Sequence, residues 1–99
     1  MDYRDFVSSS QVTAFCRKNH IRRMAFFGSV IRSDFGPQSD VDVLVEFESG
    51  HVPGFNFFSM EAELSKLFGR SVDLQTPGFL GKEIRQTVLS EAIPAYEQA

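Results

Sequence analysis

The chain has 99 residues, enough for one hydrophobic core, and we expect residues 1–99 to form a single domain. Lys and Arg number 10 and Asp and Glu number 13, so the net charge is −3; without a basic block, broad binding to nucleic acid or to a membrane surface is disfavoured. The sequence has one cysteine, no signal-peptide pattern and no apolar run of membrane-spanning length, which favours a cytoplasmic protein without disulfides or a cysteine-based zinc site.

Apolar periodicity and turn residues predict helices and strands in alternation. A helix over about residues 9–19 follows a run of serines that can cap it, and a strand over 21–27 ends at Gly28. A short helix from Ser29 to about Asp34 and a strand over 41–47 come next. A helix over about 55–68, a strand over 71–75 and a last helix over about 81–92, ended by Pro94, complete the order.

The order α-β-α-β-α-β-α predicts an α/β (α+β) domain with a small mixed β-sheet flanked by helices. The Val-rich segment over 41–47 is the clearest strand, because Val41, Val43 and Val45 fall on one face and Asp40, Asp42 and Leu44 on the other. Cys16 lies in the apolar stripe of the first helix, so we expect it in the core.

Two aspartates begin this Val-rich strand. Asp40 and Asp42 are two residues apart, so both side chains project on the same side of the strand. Two carboxylates side by side repel each other unless a cation lies between them, and hard oxygen ligands at fixed spacing suit Mg²⁺. The alternative is a solvated strand edge that begins with acidic residues, which the poor strand propensity of Asp disfavours.

Two further features could belong to the same site. Asp73 lies in the short strand over 71–75; if that strand pairs beside the Val-rich one, three carboxylates could hold two metal ions, and otherwise Asp73 is an exposed strand residue. Gly28 and Ser29 lie at a strand-to-helix turn, where free backbone N–H groups and a hydroxyl suit a phosphate group. Gly-Ser is also a common turn pair.

The stretch FFGSVIRSDFGPQSDVDVLVEF carries an ordered motif: Gly28-Ser29, ten residues, then Asp40-Val41-Asp42. This motif resembles that of the minimal nucleotidyltransferase (MNT) domains, small members of the polymerase-β-like nucleotidyltransferase superfamily. The resemblance continues through SVDL, which contains Asp73, to the C-terminal segment PGFLGKEIRQTVLSEAIPAYE. It covers about residues 24–97 and implies the nucleotidyltransferase fold.

The resemblance also implies a reaction and its residues. The family transfers a nucleoside monophosphate from an NTP, here expected to be ATP, to a hydroxyl group and uses two Mg²⁺ ions. Carried over to this sequence, Asp40, Asp42 and Asp73 would be catalytic and metal-binding, with Asp73 on the acceptor side. Gly28 and Ser29 would hold the β- and γ-phosphates, and Arg32, one turn further on, could reach the triphosphate or lie free on the surface.

Domains of this kind resemble the MntA-type antitoxins paired with a HEPN-domain ribonuclease toxin, some of which attach AMP to a Tyr of the toxin. The resemblance therefore implies an antitoxin that modifies a cognate toxin in a hetero-oligomer. A second hypothesis is a non-catalytic antitoxin that neutralises its partner by covering it. A third, a structural Mg²⁺ or Ca²⁺ site, is disfavoured because the chain lacks the dense oxygen ligands of an EF-hand loop.

Other residues remain open between a functional and a structural role. Lys82 and Arg85 lie one turn apart on the last predicted helix and could steer ATP, although a solvated helix face explains them as well. His20 and His51 have no evident nucleophile beside them and are interpreted as surface residues. Three phenylalanines after Pro53-Gly54, Phe55, Phe57 and Phe58, exceed what one helix face buries, so some could mark a partner surface, although plain core packing is the favoured interpretation.

Overall fold

The computed structural model describes residues 10–32, 36 and 39–98; the predicted helix cap at residues 8 and 9 and the predicted helical residues 33 and 34 lie outside this part. The helices are α1 (Ser10–Lys18), α2 (Asn56–Phe68) and α3 (Lys82–Glu91). The strands are β1 (Ile21–Phe27), β2 (Val41–Phe47), β3 (Val72–Gln75) and β4 (Ile93–Glu97), and two 3-10 turns span Gly28–Ile31 and Pro77–Phe79. This mixed α+β architecture confirms the predicted fold class.

The four strands form one mixed sheet in the order β3-β2-β1-β4. Strand β1 is antiparallel to both of its neighbours, whereas β2 and β3 are parallel. Helix α2 connects these two parallel strands, as a crossover must. The central position of β1 and β2 places the Gly28 turn and the Asp40–Asp42 segment beside each other.

Strand β4 is missing from the predicted order. Pro94 was expected only to end the last helix, but α3 ends at Glu91 and Pro94 lies within β4, opposite Ala25 of β1. Proline cannot donate a backbone hydrogen bond, so it is tolerated in a strand at the sheet edge, which is where β4 lies.

The main core lies on one face of the sheet. Every second residue of β2 points into it, so Val41, Val43 and Val45 are completely buried, as the alternation predicts. Helices α1 and α2 supply the other half of this core, with Cys16 and Leu64 fully buried. Burial raises the pKa of the Cys16 thiol to about 12, which fits its predicted place in the core.

The predicted short helix after Gly28 is reduced to a 3-10 turn. The turn ends at Ile31 because Arg32 is extended, with φ −116° and ψ 167°. Among the described residues, no helix combines the length and the apolar character that crossing a membrane requires.

Candidate active site

Three strand ends converge on the face of the sheet opposite the main core. In the β1–β2 ladder Asp42 is opposite Phe27, the residue before Gly28. In the parallel β2–β3 ladder Asp42 is opposite Asp73, so the two carboxylates lie side by side on the same face. Asp40 precedes β2 by one residue. The structure thus brings together the three acids and the Gly28-Ser29 turn.

The electrostatics of Asp42 reflect this crowding. Burial raises the pKa of the Asp42 carboxyl above its ordinary value, and the negative charges of Asp73 and Asp40 raise it further. The Ser29 backbone N–H, which donates to this carboxylate, and the positive charge of Arg32 lower the pKa and only partly oppose that shift. The positive groups around Asp42 therefore do not fully offset its negative charge, as expected for a carboxylate that binds a cation.

Gly28 is required by close contact as well as by conformation. Its φ is +72°, a region that L side chains rarely adopt, and a Cβ built on it would lie 2.1 Å from Asp42 Oδ2. The absent side chain lets the end of β1 approach the Asp42 carboxylate directly. Any other residue would displace either the turn or the carboxylate.

The Gly28-Ser29 turn differs in one respect from the prediction. It begins a four-residue 3-10 turn rather than an α-helix, and the Ser29 N–H is already directed at Asp42. This amide therefore orients the acid instead of lying free for a phosphate group. The Ser29 hydroxyl remains the side-chain donor of the turn.

Arg32 and Asp73 lie at the exposed side of the site. The Arg32 guanidinium is near enough to Asp42 to act on its pKa, and it also forms an ion pair with Glu91 at 3.5 Å. Asp73 Oδ1 accepts a hydrogen bond of 2.9 Å from Gln75 Nε2, which fixes one of its oxygens. Both side chains are exposed.

Sequence reasoning missed Arg70, which holds the segment before Asp40. One guanidinium nitrogen, Nη2, donates to the backbone oxygens of Gly36 and Ser39, both at 2.7 Å. Gly36 and Ser39 also close a turn, since the Ser39 N–H donates to the Gly36 oxygen and the Gly36 N–H donates to Ser39 Oγ. Arg70 thereby fixes the main chain that leads directly into the acidic motif. An arginine just before the third strand is the only sequence signal, and it is too common to be specific.

Helix α2 holds the outer edge of β3. The N–H of Val72 donates to Ser65 Oγ at 3.0 Å, and the N–H of Leu74 donates to Glu61 Oε2 at 2.9 Å. Glu61 and Ser65 are four residues apart and therefore lie on one face of the helix. These bonds satisfy backbone N–H groups that would otherwise be unpaired at the edge of the sheet. They also fix the position of Asp73, which lies between the two donors.

The donor set fits divalent cations. Three carboxylates on adjacent strands are hard oxygen ligands of the type that Mg²⁺ takes, together with substrate phosphates. The raised pKa of Asp42 supports this fit, because it shows like charges that Arg32 offsets only in part. Gly28 supports it as well, because the absent side chain keeps the space beside Asp42 Oδ2 open. Asp40, Asp42 and Asp73 are the residues that would hold the metal.

An apolar cleft of about 390 Å³ adjoins the third acid. Its walls include Phe57, Phe58 and Phe79 as well as Asp73. Phe57 is buried, whereas Phe58 and Phe79 are 68% and 67% exposed, and Phe55 nearby in sequence is 92% exposed. Core packing therefore holds for Phe57 but not for Phe55 and Phe58, and Phe79 is an exposed aromatic residue that the sequence did not indicate.

The remaining basic residues on α3 are placed differently. Arg85 Nη2 donates to the backbone oxygen of Leu80 at 3.0 Å, so this arginine ties α3 to the segment before it. Lys82 is exposed in the first turn of α3. A role of either residue in steering ATP stays a prediction.

Known proteins resemble this chain in sequence. The sequence profile of the nucleotidyltransferase domain family matches residues 9–94. A protein adenylyltransferase MntA from Thermococcus cleftensis is 38% identical over 74 residues, which are 74% of this chain and 73% of that protein.

Solved structures show the same fold. A structure described as a minimal nucleotidyltransferase superposes with a TM-score of 0.77 at 33% identity and covers 95% of this chain and 96% of its own. A chain in the complex of a tri-AMPylated HEPN toxin of Shewanella oneidensis with its MNT antitoxin gives a TM-score of 0.65 at 17% identity, over 89% of this chain and 68% of that one. The present chain therefore belongs to the nucleotidyltransferase domain family and is a nucleotidyltransferase of the minimal type.

Proposed function

We propose that this protein is an antitoxin that transfers AMP from ATP to the hydroxyl group of a tyrosine in a cognate HEPN-domain ribonuclease toxin. This modification would neutralise the toxin. The observation that carries the proposal is the pairing of Asp42 with Asp73 in parallel strands, with Asp40 and the Gly28 turn at the same place. The adenylyltransferase relative and the AMPylated toxin complex of the same fold support the choice of AMP and of a toxin.

The acids would divide the work according to their positions. Asp40 and Asp42 would hold two Mg²⁺ ions, and Asp73 would complete the ligand set on the acceptor side. When bound, the two ions would offset the charge on the attacking and leaving oxygens of an in-line displacement. The acceptor oxygen would form the new bond to the α-phosphorus, pyrophosphate would leave, and Asp73 would take the hydroxyl proton.

The nucleotide would lie against the Gly28 turn. Ser29 Oγ would donate to a β- or γ-phosphate oxygen, while the Ser29 N–H keeps Asp42 in place. Arg32 would exchange its ion pair with Glu91 for the triphosphate, since the pair is long at 3.5 Å and exposed and therefore contributes little.

The aromatic cleft would receive the acceptor. It opens beside Asp73, and its exposed phenylalanines offer an apolar surface to a partner protein. A tyrosine ring would pack against Phe58 and Phe79 with its hydroxyl toward Asp73, because aromatic side chains favour edge and offset contacts. The toxin would thus contribute the acceptor side of the site.

The test combines the purified chain with a candidate HEPN-domain toxin from the same genome, labelled ATP and Mg²⁺. We expect label on a toxin tyrosine, located by mass spectrometry, and loss of at least about 100-fold in rate for Asp40→Asn with an intact fold. Glu83→Gln, which removes a charge from α3, is the matched control and should label normally. Undiminished labelling by Asp40→Asn would refute the assignment.

The exposed aromatic patch formed by Phe55, Phe58 and Phe79 also favours the second hypothesis, neutralisation by complex formation alone. The double variant Asp40→Asn/Asp42→Asn separates the two, because it removes the acids without touching the patch. A steric antitoxin would still protect cells from the toxin when it carries both changes. A catalytic antitoxin would not protect them, although it could still bind.

A further inference from the structure

A second cluster of potential ligands lies at the opposite end of the sheet from the acids. His20 directly precedes β1 and Glu48 directly follows β2, and the Glu48 N–H donates to the His20 oxygen at 2.9 Å. His51 joins them through a turn in which its N–H donates to the Glu48 oxygen at 3.0 Å. Six residues of β1 separate this cluster from Phe27 beside Asp42, a distance of about 20 Å.

The three side chains face one another. The imidazole rings of His20 and His51 are stacked, with centroids 4.0 Å apart and planes at 14°. His20 Nδ1 lies 4.0 Å from Glu48 Oε2, and one ligand atom from each of the three residues lies within 4.8 Å of the other two. Nitrogen and oxygen ligands around one zinc ion lie roughly 3.3–3.5 Å apart, so these atoms must approach one another by up to about 1.5 Å. Both imidazoles are exposed and can rotate to make it.

The backbone and a neighbouring amide prepare this geometry. His20 has φ +56°, a left-handed conformation at the end of α1 that turns the chain sharply into β1. Gln98 Nε2 donates to Glu48 Oε2 at 3.1 Å, and the Gln98 N–H donates to the Arg22 oxygen at 2.9 Å. The Glu48 carboxylate is therefore oriented by a second residue, as is common for metal ligands in proteins.

We propose that His20, Glu48 and His51 form a binding site for a divalent d-block metal ion, which we take to be Zn²⁺. Two imidazole nitrogens and one carboxylate oxygen are ligands that Zn²⁺ accepts, and they leave a fourth position for water. Mg²⁺, which prefers oxygen ligands, is disfavoured here, so the two ends of the sheet select different ions. A bound ion would join the end of α1, the start of β1, the end of β2 and the following loop. This proposal does not depend on the proposed transfer reaction.

Calorimetric titration with Zn²⁺ tests the proposal, in excess Mg²⁺ so that the acidic site is occupied. We expect one saturable site per chain and a rise in Tm of more than about 5 °C at 100 times Kd. Co²⁺ at the same site should give visible d–d absorption that Zn²⁺ abolishes. Absence of a saturable isotherm in the wild-type protein would overturn the proposal.

Variants locate the site. His20→Asn keeps a residue that tolerates positive φ, and His51→Gln and Glu48→Gln keep size and polarity. Each should weaken Zn²⁺ binding by roughly tenfold or more without lowering the Tm of the metal-free protein, and Gln98→Ala should weaken it less. Asp42→Asn is the matched control at the other site and should bind Zn²⁺ like the wild type. Unchanged Zn²⁺ affinity in both histidine variants would place the ion elsewhere and refute the assignment.

Discussion

Replacing Asp42 with Asn should stabilise the metal-free protein. Asp42 is held beside two other acids in a half-buried position, and its charged form is disfavoured there. Asn has the same shape, and its Oδ1 can still accept the hydrogen bond from the Ser29 N–H. The substitution therefore removes repulsion while it retains the packing against Gly28.

The magnitude follows from the pairing of the strands. Register partners on adjacent strands are about 5 Å apart, and two unit charges at that distance repel by about 0.8 kcal/mol in water and about 3 kcal/mol at an effective dielectric constant of 20. Because Asp73 is exposed and Arg32 offsets part of the charge, we take about 1 kcal/mol. In a domain of this size that corresponds to a rise in Tm of about 4–8 °C.

Thermal unfolding at pH 7 in EDTA, and then in Mg²⁺, measures the effect. The variant should melt above the wild type in EDTA, and Mg²⁺ should raise the Tm of the wild type but not that of the variant. Glu83→Gln, a neutralisation in the first turn of α3 where a negative charge is favourable, should leave the Tm unchanged or lower it. If Asp42→Asn melts at or below the wild-type temperature in EDTA, the crowding of charges does not govern this site.

The same reasoning gives a sign for the pH dependence. The pKa of Asp42 is raised in the folded state, so the folded protein binds this proton more tightly than the unfolded chain does. The free energy of unfolding of the wild type therefore gains from this group as the pH falls from the folded pKa toward the unfolded pKa of about 3.9. The advantage of Asp42→Asn over the wild type should therefore shrink as the pH falls through that window. Denaturant unfolding of both proteins in EDTA measures the difference, and an advantage that grows toward acid pH would contradict the sign.

Three further substitutions probe how the site is positioned. Gly28→Ala should abolish both the Mg²⁺-induced rise in Tm and transfer, because its Cβ would meet the Asp42 carboxylate. The control is Gly69→Ala, at φ +70° with open space around it, which should cost only about 1–2 kcal/mol of strain and stay active. Equal losses of activity in both variants would show that φ alone matters. Arg70→Ala should release the turn before the acidic motif and lower kcat by roughly tenfold or more. Labelled transfer measures kcat, and Tm checks the folding of the variant. An unchanged kcat would show that Arg70 does not position the site. Ser29→Ala should raise the KM for ATP and lower transfer less than Asp40→Asn does, since the Ser29 N–H remains; an unchanged KM would argue against a phosphate contact.

Much of the site could be predicted because it depends on local periodicity. Alternation along β2 places Val41 in the core and Asp40 and Asp42 on one side, whatever the strand later pairs with. The break at Gly28 marks a turn in the sequence, but the reason for a glycine, its contact with the Asp42 carboxylate, requires two strands to be neighbours. The sequence could not show that the Ser29 amide is used by this carboxylate.

The amino-acid pattern by itself determined the α/β alternation, the buried face of β2, the pair of acids and the family motif, because each depends on residues close together in the chain. Only the tertiary structure decided that β3 pairs with β2 in parallel, which places Asp73 beside Asp42, and that β4 closes the sheet edge despite Pro94. The same holds for Arg70 at the acidic motif and for His20 beside His51, since these contacts join segments about 30 residues apart. Such contacts form only when apolar faces are buried together, and one segment's pattern does not specify its neighbour in the sheet.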